Sequence, residues 1–166
     1  MKVVYFGMYH FAKQLVTELN KGSDQDTFLA FNTDKGIKEK LKFLWHARNA
    51  DVVVCFVGTL TNSGLLRSVQ KMNKPLVMQW HGSDVYRSLK VADETQIDFQ
   101  RLKKMHHYSD APWLIKDLEQ VGLAVKMLPF KFVREDFMAT LKKEKMAITY
   151  VPEGKEELYG LDTVLQ

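Results

Sequence analysis

The chain has 166 residues, of which 46% are hydrophobic and 27% are charged, proportions typical of one soluble globular domain. Its single cysteine, Cys55, excludes an internal disulfide and a thiolate metal site. The net charge of +4 favours anionic partners, and the lack of a long apolar run or a signal-peptide pattern predicts a cytoplasmic protein.

Strand-like and helix-like segments then alternate along the chain. Runs of apolar and β-branched residues predict strands at 2–6, 27–31, 51–57, 75–79 and 125–128, with a further short strand within 108–114. Apolar residues at helical spacing predict helices at 11–19, 37–47, 64–72, 98–107 and 114–121. This βαβα order predicts an α/β fold, a doubly wound, Rossmann-like parallel sheet with helices on both faces.

The C-terminal segment has a different pattern. A charged stretch at 142–145 is followed by a predicted strand at 147–151, a Pro-Glu-Gly turn and a helix-like segment at 158–165. We therefore expect one domain at 1–141. Residues 142–166 are expected to be a linker plus the first strand and helix of a truncated second domain.

The most informative segment is Trp80-His81-Gly82-Ser83-Asp84, which follows the predicted buried strand at 75–79. In open α/β sheets, ligands bind at the carboxyl ends of the strands. His81 can exchange hydrogen bonds or protons with a sugar hydroxyl or a phosphate, and Asp84 can orient the loop or bind a hydroxyl. The alternative is structural, with Asp84 capping the next turn and His81 a partly buried hydrogen-bonding residue.

A second candidate loop, Gly7-Met8-Tyr9, lies between the first predicted strand and the first predicted helix. Such a turn can present backbone N–H groups and a helix N-terminus to an anion. One glycine does not make the full dinucleotide fingerprint, so an ordinary tight turn is the alternative.

Two other patterns bear on metal binding and membrane contact. His106 and His107 are adjacent, so on a helix they would point about 100° apart, and no metal site is expected. The basic segment at 38–46 can lie on an anionic membrane at its inner face, or form a surface helix whose apolar face packs on the sheet. The sequence contains no clustered platform of aromatic and basic residues, so binding of nucleic acid is not expected.

Two further segments matter beside the loop at 80–85. Ser109-Asp110-Ala111-Pro112-Trp113-Leu114 reads as a strand end, a serine-containing turn and a helix start, and the segment at 128–137 begins with Leu-Pro. Together the three resemble the N-terminal half of a GT-B-fold glycosyltransferase of the large group with many retaining, nucleotide-sugar-dependent enzymes. The segment at 128–137 is similar to that family's linker into the second domain, with Phe130 in place of an asparagine. The tail at 148–164 is similar to the start of that family's donor-binding domain.

The resemblance implies the acceptor-side domain of an enzyme that moves a sugar from a nucleotide-sugar donor to a lipid-linked or saccharide acceptor. His81 would be the candidate catalytic residue that touches the transferred sugar. The implied substrate-binding residues are Gly7, Met8, Tyr9, Gly82, Ser83 and Asp84. The donor would be held largely by a C-terminal donor domain, so this chain alone is expected to be inactive.

Two alternatives remain open at this point. One is a stand-alone Rossmann-like module that binds a nucleotide or a protein without catalysis. The other is a GT-B-fold epimerase acting on nucleotide sugars, which would also need the donor domain.

Overall fold

The computed structural model describes residues 1–60, 63–92 and 97–128. The predicted domain boundary at 141, the linker beyond 128 and the predicted second unit at 142–166 lie outside the described residues, and they remain predictions.

The described residues form a sheet of six parallel strands in the order β2-β1-β3-β4-β5-β6. The strands are β1 Lys2–Phe6, β2 Thr27–Phe31, β3 Val52–Cys55, β4 Leu76–Trp80, β5 His106–Ser109 and β6 Val125–Met127. The chain moves outward from β1 to β2 and returns to β3 on the other side of β1. The strand order therefore reverses between β1 and β3, which is the switch point where doubly wound sheets bind ligands.

Helices cover both faces of this sheet, which confirms the predicted α/β fold. The helices are α1 Tyr9–Lys21, α2 Ile37–Arg48, α3 Gly64–Gln70, α4 Ser83–Ala92, α5 Phe99–Leu102 and α6 Pro112–Gln120. Because side chains alternate along a strand, Val3 and Tyr5 pack with α1 on one face while Val4 and Phe6 enter the larger core on the other. That larger core also takes the buried sides of α2, α3 and α6.

Two element predictions are wrong between residues 83 and 109. The helix predicted at 98–107 is only the short α5, Phe99–Leu102, and His106–Ser109 is strand β5. Helix α4 has no counterpart in the predicted elements. On a strand, the two adjacent histidines lie on opposite faces, so His106 is exposed while His107 is 4% exposed.

The apolar residues at helical spacing on α2 do not all pack on the sheet, since Ile37, Leu41 and Trp45 are 69%, 59% and 69% exposed. Phe43 and Ala47 are buried instead. The Phe43 ring packs 4.8 Å from the ring of Phe6, measured between centroids, and this contact sets the rotation of the helix. Helix α2 carries two apolar rows, and periodicity alone did not distinguish the inner row from the outer one.

Within the described residues, no helix combines the length and the apolar character needed to cross a membrane.

Candidate functional site

The loops that follow β1, β3, β4 and β5 lie together at the carboxyl edge of the sheet, because all of these strands run in one direction. The β3 loop, residues 56–60, is central in this group. It is contacted by the β1 loop from one side and by the β4 loop from the other. The candidate residues on the first and fourth strands are therefore joined through the β3 loop.

The β1 loop is tight and has left-handed backbone at two successive residues. Gly7 has φ +82°, and a Cβ atom there would come within 2.8 Å of Val57 Cγ1. Met8 follows with φ 36° and ψ 54°, a conformation that costs a residue with a side chain about 1 kcal/mol or more. Helix α1 begins at Tyr9 without a side-chain cap, so its first-turn N–H groups are suited to an anionic or hydroxyl ligand.

The carboxylate of Asp84 holds the β3 and β4 loops together. Asp84 is 5% exposed. Its Oδ2 accepts the Gly58 N–H at 2.6 Å, and its Oδ1 accepts the N–H groups of His81, Gly82 and Val85 at 3.0, 2.8 and 3.0 Å. These bonds hold the loop in one geometry, which fits both the loop-orienting role and the structural alternative expected for Asp84.

His81 lies between an aromatic ring and a carboxylate. Its ring centroid is 4.5 Å from that of Phe56, and its Nδ1 lies 3.5 Å from Oδ2 of Asp110. The two side chains are only 12% and 28% exposed. Asp110 follows directly after β5, where the buried Ser109 hydroxyl donates to the Trp80 carbonyl at 3.3 Å. The arrangement fixes the plane of the imidazole at the carboxyl edge.

Asp110 and Gly58 were not predicted as site residues. The signal for Asp110 was its place directly after a strand, but the short strand predicted within 108–114 had no defined end, whereas β5 ends at Ser109. Gly58 also directly follows a predicted strand, at 51–57, but its role depends on Trp80 and Asp84, which the neighbouring strand positions. A Cβ atom at Gly58 would lie 1.8 Å from Cε3 of the Trp80 ring, so only glycine leaves room for that ring.

Beneath the β4 loop, a hydrogen bond to the buried His107 side chain holds the Trp80 ring in place. The Trp80 indole N–H donates to Nδ1 of His107 at 3.2 Å, and the other ring nitrogen of His107 lies 2.9 Å from the Leu102 carbonyl. Because indole is only a donor, Nδ1 must accept and Nε2 carries the proton that is donated to Leu102. Burial lowers the pKa of His107, so the neutral ring that this network requires is favoured.

The remaining candidate groups are less constrained or unreactive. Ser83 is exposed, and its Oγ accepts a hydrogen bond from Arg87 Nη2 at 3.1 Å. Burial raises the pKa of the Cys55 thiol to about 12, so it is not an activated nucleophile. Among the described residues, no three His, Cys, Asp or Glu side chains are grouped so as to hold a metal ion.

No family model matches the sequence, and no curated protein or solved structure shows detectable similarity to it. The fold and the site therefore define the class: a doubly wound α/β domain with a rigid, polar group of loops at its carboxyl edge.

Proposed function

We propose that this chain is the acceptor-side domain of a GT-B-fold, nucleotide-sugar-dependent glycosyltransferase that transfers a sugar to a lipid-linked or saccharide acceptor. The observation that supports this proposal is the position of His81. It lies beside the switch point, held between Phe56 and Asp110 on a loop that Asp84 fixes to the β3 loop. Ligands of open α/β sheets bind at this place.

In the proposed enzyme, His81 contacts a hydroxyl of the transferred sugar. Asp110 acts as a positioning residue, since its carboxylate faces Nδ1 and orients the ring. The uncapped N-terminus of α1 at Tyr9 and the backbone of Gly7 and Met8 border the acceptor side. The rate enhancement would come mainly from positioning and from stabilising the leaving diphosphate.

A second, donor-side domain is part of this proposal. It would bind most of the nucleotide-sugar donor, and the active site would form when the two domains close over the substrates. The 166 residues alone are therefore expected to be inactive.

The test is co-expression with a candidate donor-side half, followed by a screen of nucleotide sugars for hydrolysis and transfer. We expect His81→Ala to lower transfer by about 100-fold or more, a typical loss for a positioned acid–base or hydrogen-bonding group. The matched control is His106→Ala, because His106 is exposed at the opposite end of β5.

Three outcomes would count against parts of the proposal. Unchanged transfer in His81→Ala would assign His81 to structure. Turnover by the 166 residues without a partner would remove the need for a donor-side half. Tight nucleotide binding without turnover in any pairing would favour a stand-alone binding module.

We also propose that α2 contacts the inner face of an anionic membrane, where a lipid-linked acceptor would be found. The outward row of Ile37, Leu41 and Trp45 supports this contact because these large apolar side chains are exposed. Lys38 and Lys42 are exposed neighbours of the row, as in helices that lie on anionic lipid.

Sedimentation with phosphatidylglycerol vesicles tests this contact. The double variant L41S/W45S should reduce the bound fraction by at least about five-fold, since it removes two of the three apolar anchors. W113S, which replaces a similarly exposed tryptophan on α6, should leave binding unchanged. Equal losses in both variants, or no binding by the unmodified chain, would contradict the contact.

A further inference from the structure

A cavity of about 520 Å³ lies at the amino edge of the sheet, opposite to the candidate site. It is bordered by the end of α3, by the turn that leads into β4, and by α5 with the turn that leads into β5. Leu76 and Met105 are buried and contribute apolar surface to it. Its volume falls within the range of roughly 300–1,000 Å³ that is usual for small-molecule sites. We call it the amino-edge cavity.

Five of the ten residues that line this cavity are cationic: Arg67, Lys71, Lys74, Arg101 and Lys104. No carboxylate lines it, and within the described ranges none of these cations forms an ion pair. Several like charges around one concave surface raise the local positive potential and concentrate anions there. The charge of the lining therefore favours a negatively charged ligand.

Two residues at the cavity, Gln70 and Arg101, carry buried polar atoms that no described residue bonds. Nε of Arg101 and both side-chain amide atoms of Gln70 are buried without a hydrogen bond to any described residue. Buried polar groups are nearly always hydrogen-bonded, so these unbonded atoms suggest that a ligand supplies the missing hydrogen bonds. Arg101 needs an acceptor, and Gln70 can take both an acceptor and a donor. A protonated or hydroxyl-bearing anion supplies both.

The two arginines indicate which kind of anion the cavity would bind. A guanidinium group forms paired, parallel hydrogen bonds with the oxygens of phosphate or carboxylate, and the three lysines add charge without demanding a fixed geometry. Five positive charges around one cavity match a ligand with several negative charges better than a monovalent carboxylate.

We propose that the amino-edge cavity binds a small anion with two or more phosphate charges, either free in solution or as a lipid headgroup. The cavity is separated from the His81 loop by the length of β4, roughly 13 Å for five residues. The proposal is therefore independent of the proposed glycosyl transfer and of its donor site.

Isothermal titration of the whole 166-residue chain with inorganic tripolyphosphate tests whether the cavity binds a phosphate anion that is free in solution. We expect saturable binding of one ligand per chain, weaker binding of orthophosphate, and a loss of affinity of at least about ten-fold in R67Q/R101Q/K104Q. The matched control, K13Q/K35Q/K116Q, removes three exposed positive charges elsewhere and should change affinity by less than about two-fold.

Vesicles containing phosphatidylinositol 4-phosphate, whose headgroup carries more than one phosphate charge, test whether the anion is a lipid headgroup. The L41S/W45S background is used so that α2 cannot supply the contact. Vesicle binding that depends on the cavity cations, without tripolyphosphate binding, would identify a lipid headgroup as the source of the phosphate. Should the triple variant fail to fold by circular dichroism, K104Q alone removes one exposed lysine and should weaken binding by about three-fold.

Three results would overturn the proposal. One is no saturable binding of tripolyphosphate or vesicles. Another is an equal loss of affinity in the cavity variant and in the remote-charge control, which would indicate non-specific attraction. The third is binding of a single-stranded oligonucleotide with neither of the other two probes.

Discussion

At the carboxyl edge of the sheet, one carboxylate satisfies four backbone N–H groups, whereas at the amino edge five cations share a cavity that has no carboxylate in its lining. Both edges contain charged groups on loops of the same strands. They differ in whether the charges find partners among the residues that the structure describes.

The difference separates two ways of building a site. Internal hydrogen bonds at the carboxyl edge hold the loop around His81 in one geometry, as is needed where reacting groups must be positioned. Unpaired cations at the amino edge raise the energy of the unliganded protein, and a bound anion would lower it. Breaking the internal bonds should therefore destabilise the fold, while removing the unpaired charges should not.

The largest effect is expected for Asp84→Asn. In the asparagine variant, an N–H₂ group replaces one carboxylate oxygen that accepted hydrogen bonds from backbone N–H groups. The N–H group of Gly58 or Gly82 therefore loses its acceptor. We expect a decrease of about 3–4 kcal/mol in the free energy of unfolding, measured by urea denaturation. Asp98→Asn is the control, since Asp98 is an exposed cap of α5 and asparagine caps almost equally well. Similar losses in both variants would contradict the special role of Asp84.

The next effect concerns the space for Trp80. Gly58→Ala would place a Cβ atom 1.8 Å from the Trp80 ring, which is fully buried and cannot move aside. We expect a loss of about 2–3 kcal/mol in unfolding free energy from thermal or urea denaturation, typical of overpacking. At Gly64, the first residue of α3, nothing lies within 4 Å of an added Cβ atom. Gly64→Ala should therefore be neutral or slightly stabilising, and equal effects at the two glycines would refute the packing argument.

A smaller effect is the pH dependence that His107 confers. Burial lowers its pKa in the folded protein, so the unfolded chain binds the proton first as the pH falls through about 6.5. The stabilising contribution is complete above that pH and is lost progressively below it, down to the folded pKa. Urea denaturation at about pH 7.5 and about pH 5 should show this loss in the unmodified chain and less of it in His107→Gln. An undiminished loss would assign the dependence elsewhere, such as to His46, whose pKa burial also lowers.

The smallest effect is expected at the amino edge. In low salt, R67Q/R101Q/K104Q should gain about 0.5 kcal/mol in unfolding free energy, because repulsion between like charges is relieved. High salt should remove the gain by screening the repulsion. A clear destabilisation that salt does not change would show that these cations are structural.

Much of the sheet could be predicted because β1 and β2 are apolar runs bounded by turns, and their limits match the predicted ones. Helix α4 could not be predicted, because its described buried residues include Asp84 and Ser88 beside Val85. Apolar residues therefore do not recur at helical spacing on its buried side. The first two residues of strand β5 were assigned to a helix, because His107 is buried through a bond to Trp80, a tertiary contact that local sequence does not encode.

The same distinction between local sequence signals and tertiary contacts applies to the residues of the candidate site. His81 and Gly7 could be selected because each follows a predicted strand. Asp110 and Gly58 depend on residues of neighbouring strands, so their roles required the structure. The amino-edge cations are spread from Arg67 to Lys104 without a basic run, and only the fold brings them together.

Amide hydrogen exchange, followed by NMR, tests most directly whether Asp84 pre-organises the carboxyl edge. The amides of Gly58 and Gly82, bonded to its carboxylate, should exchange at least about 100-fold more slowly than the amide of the exposed loop residue Gly36. In Asp84→Asn this protection should fall sharply. Exchange at Gly58 and Gly82 as fast as at Gly36 in the unmodified chain would contradict the account.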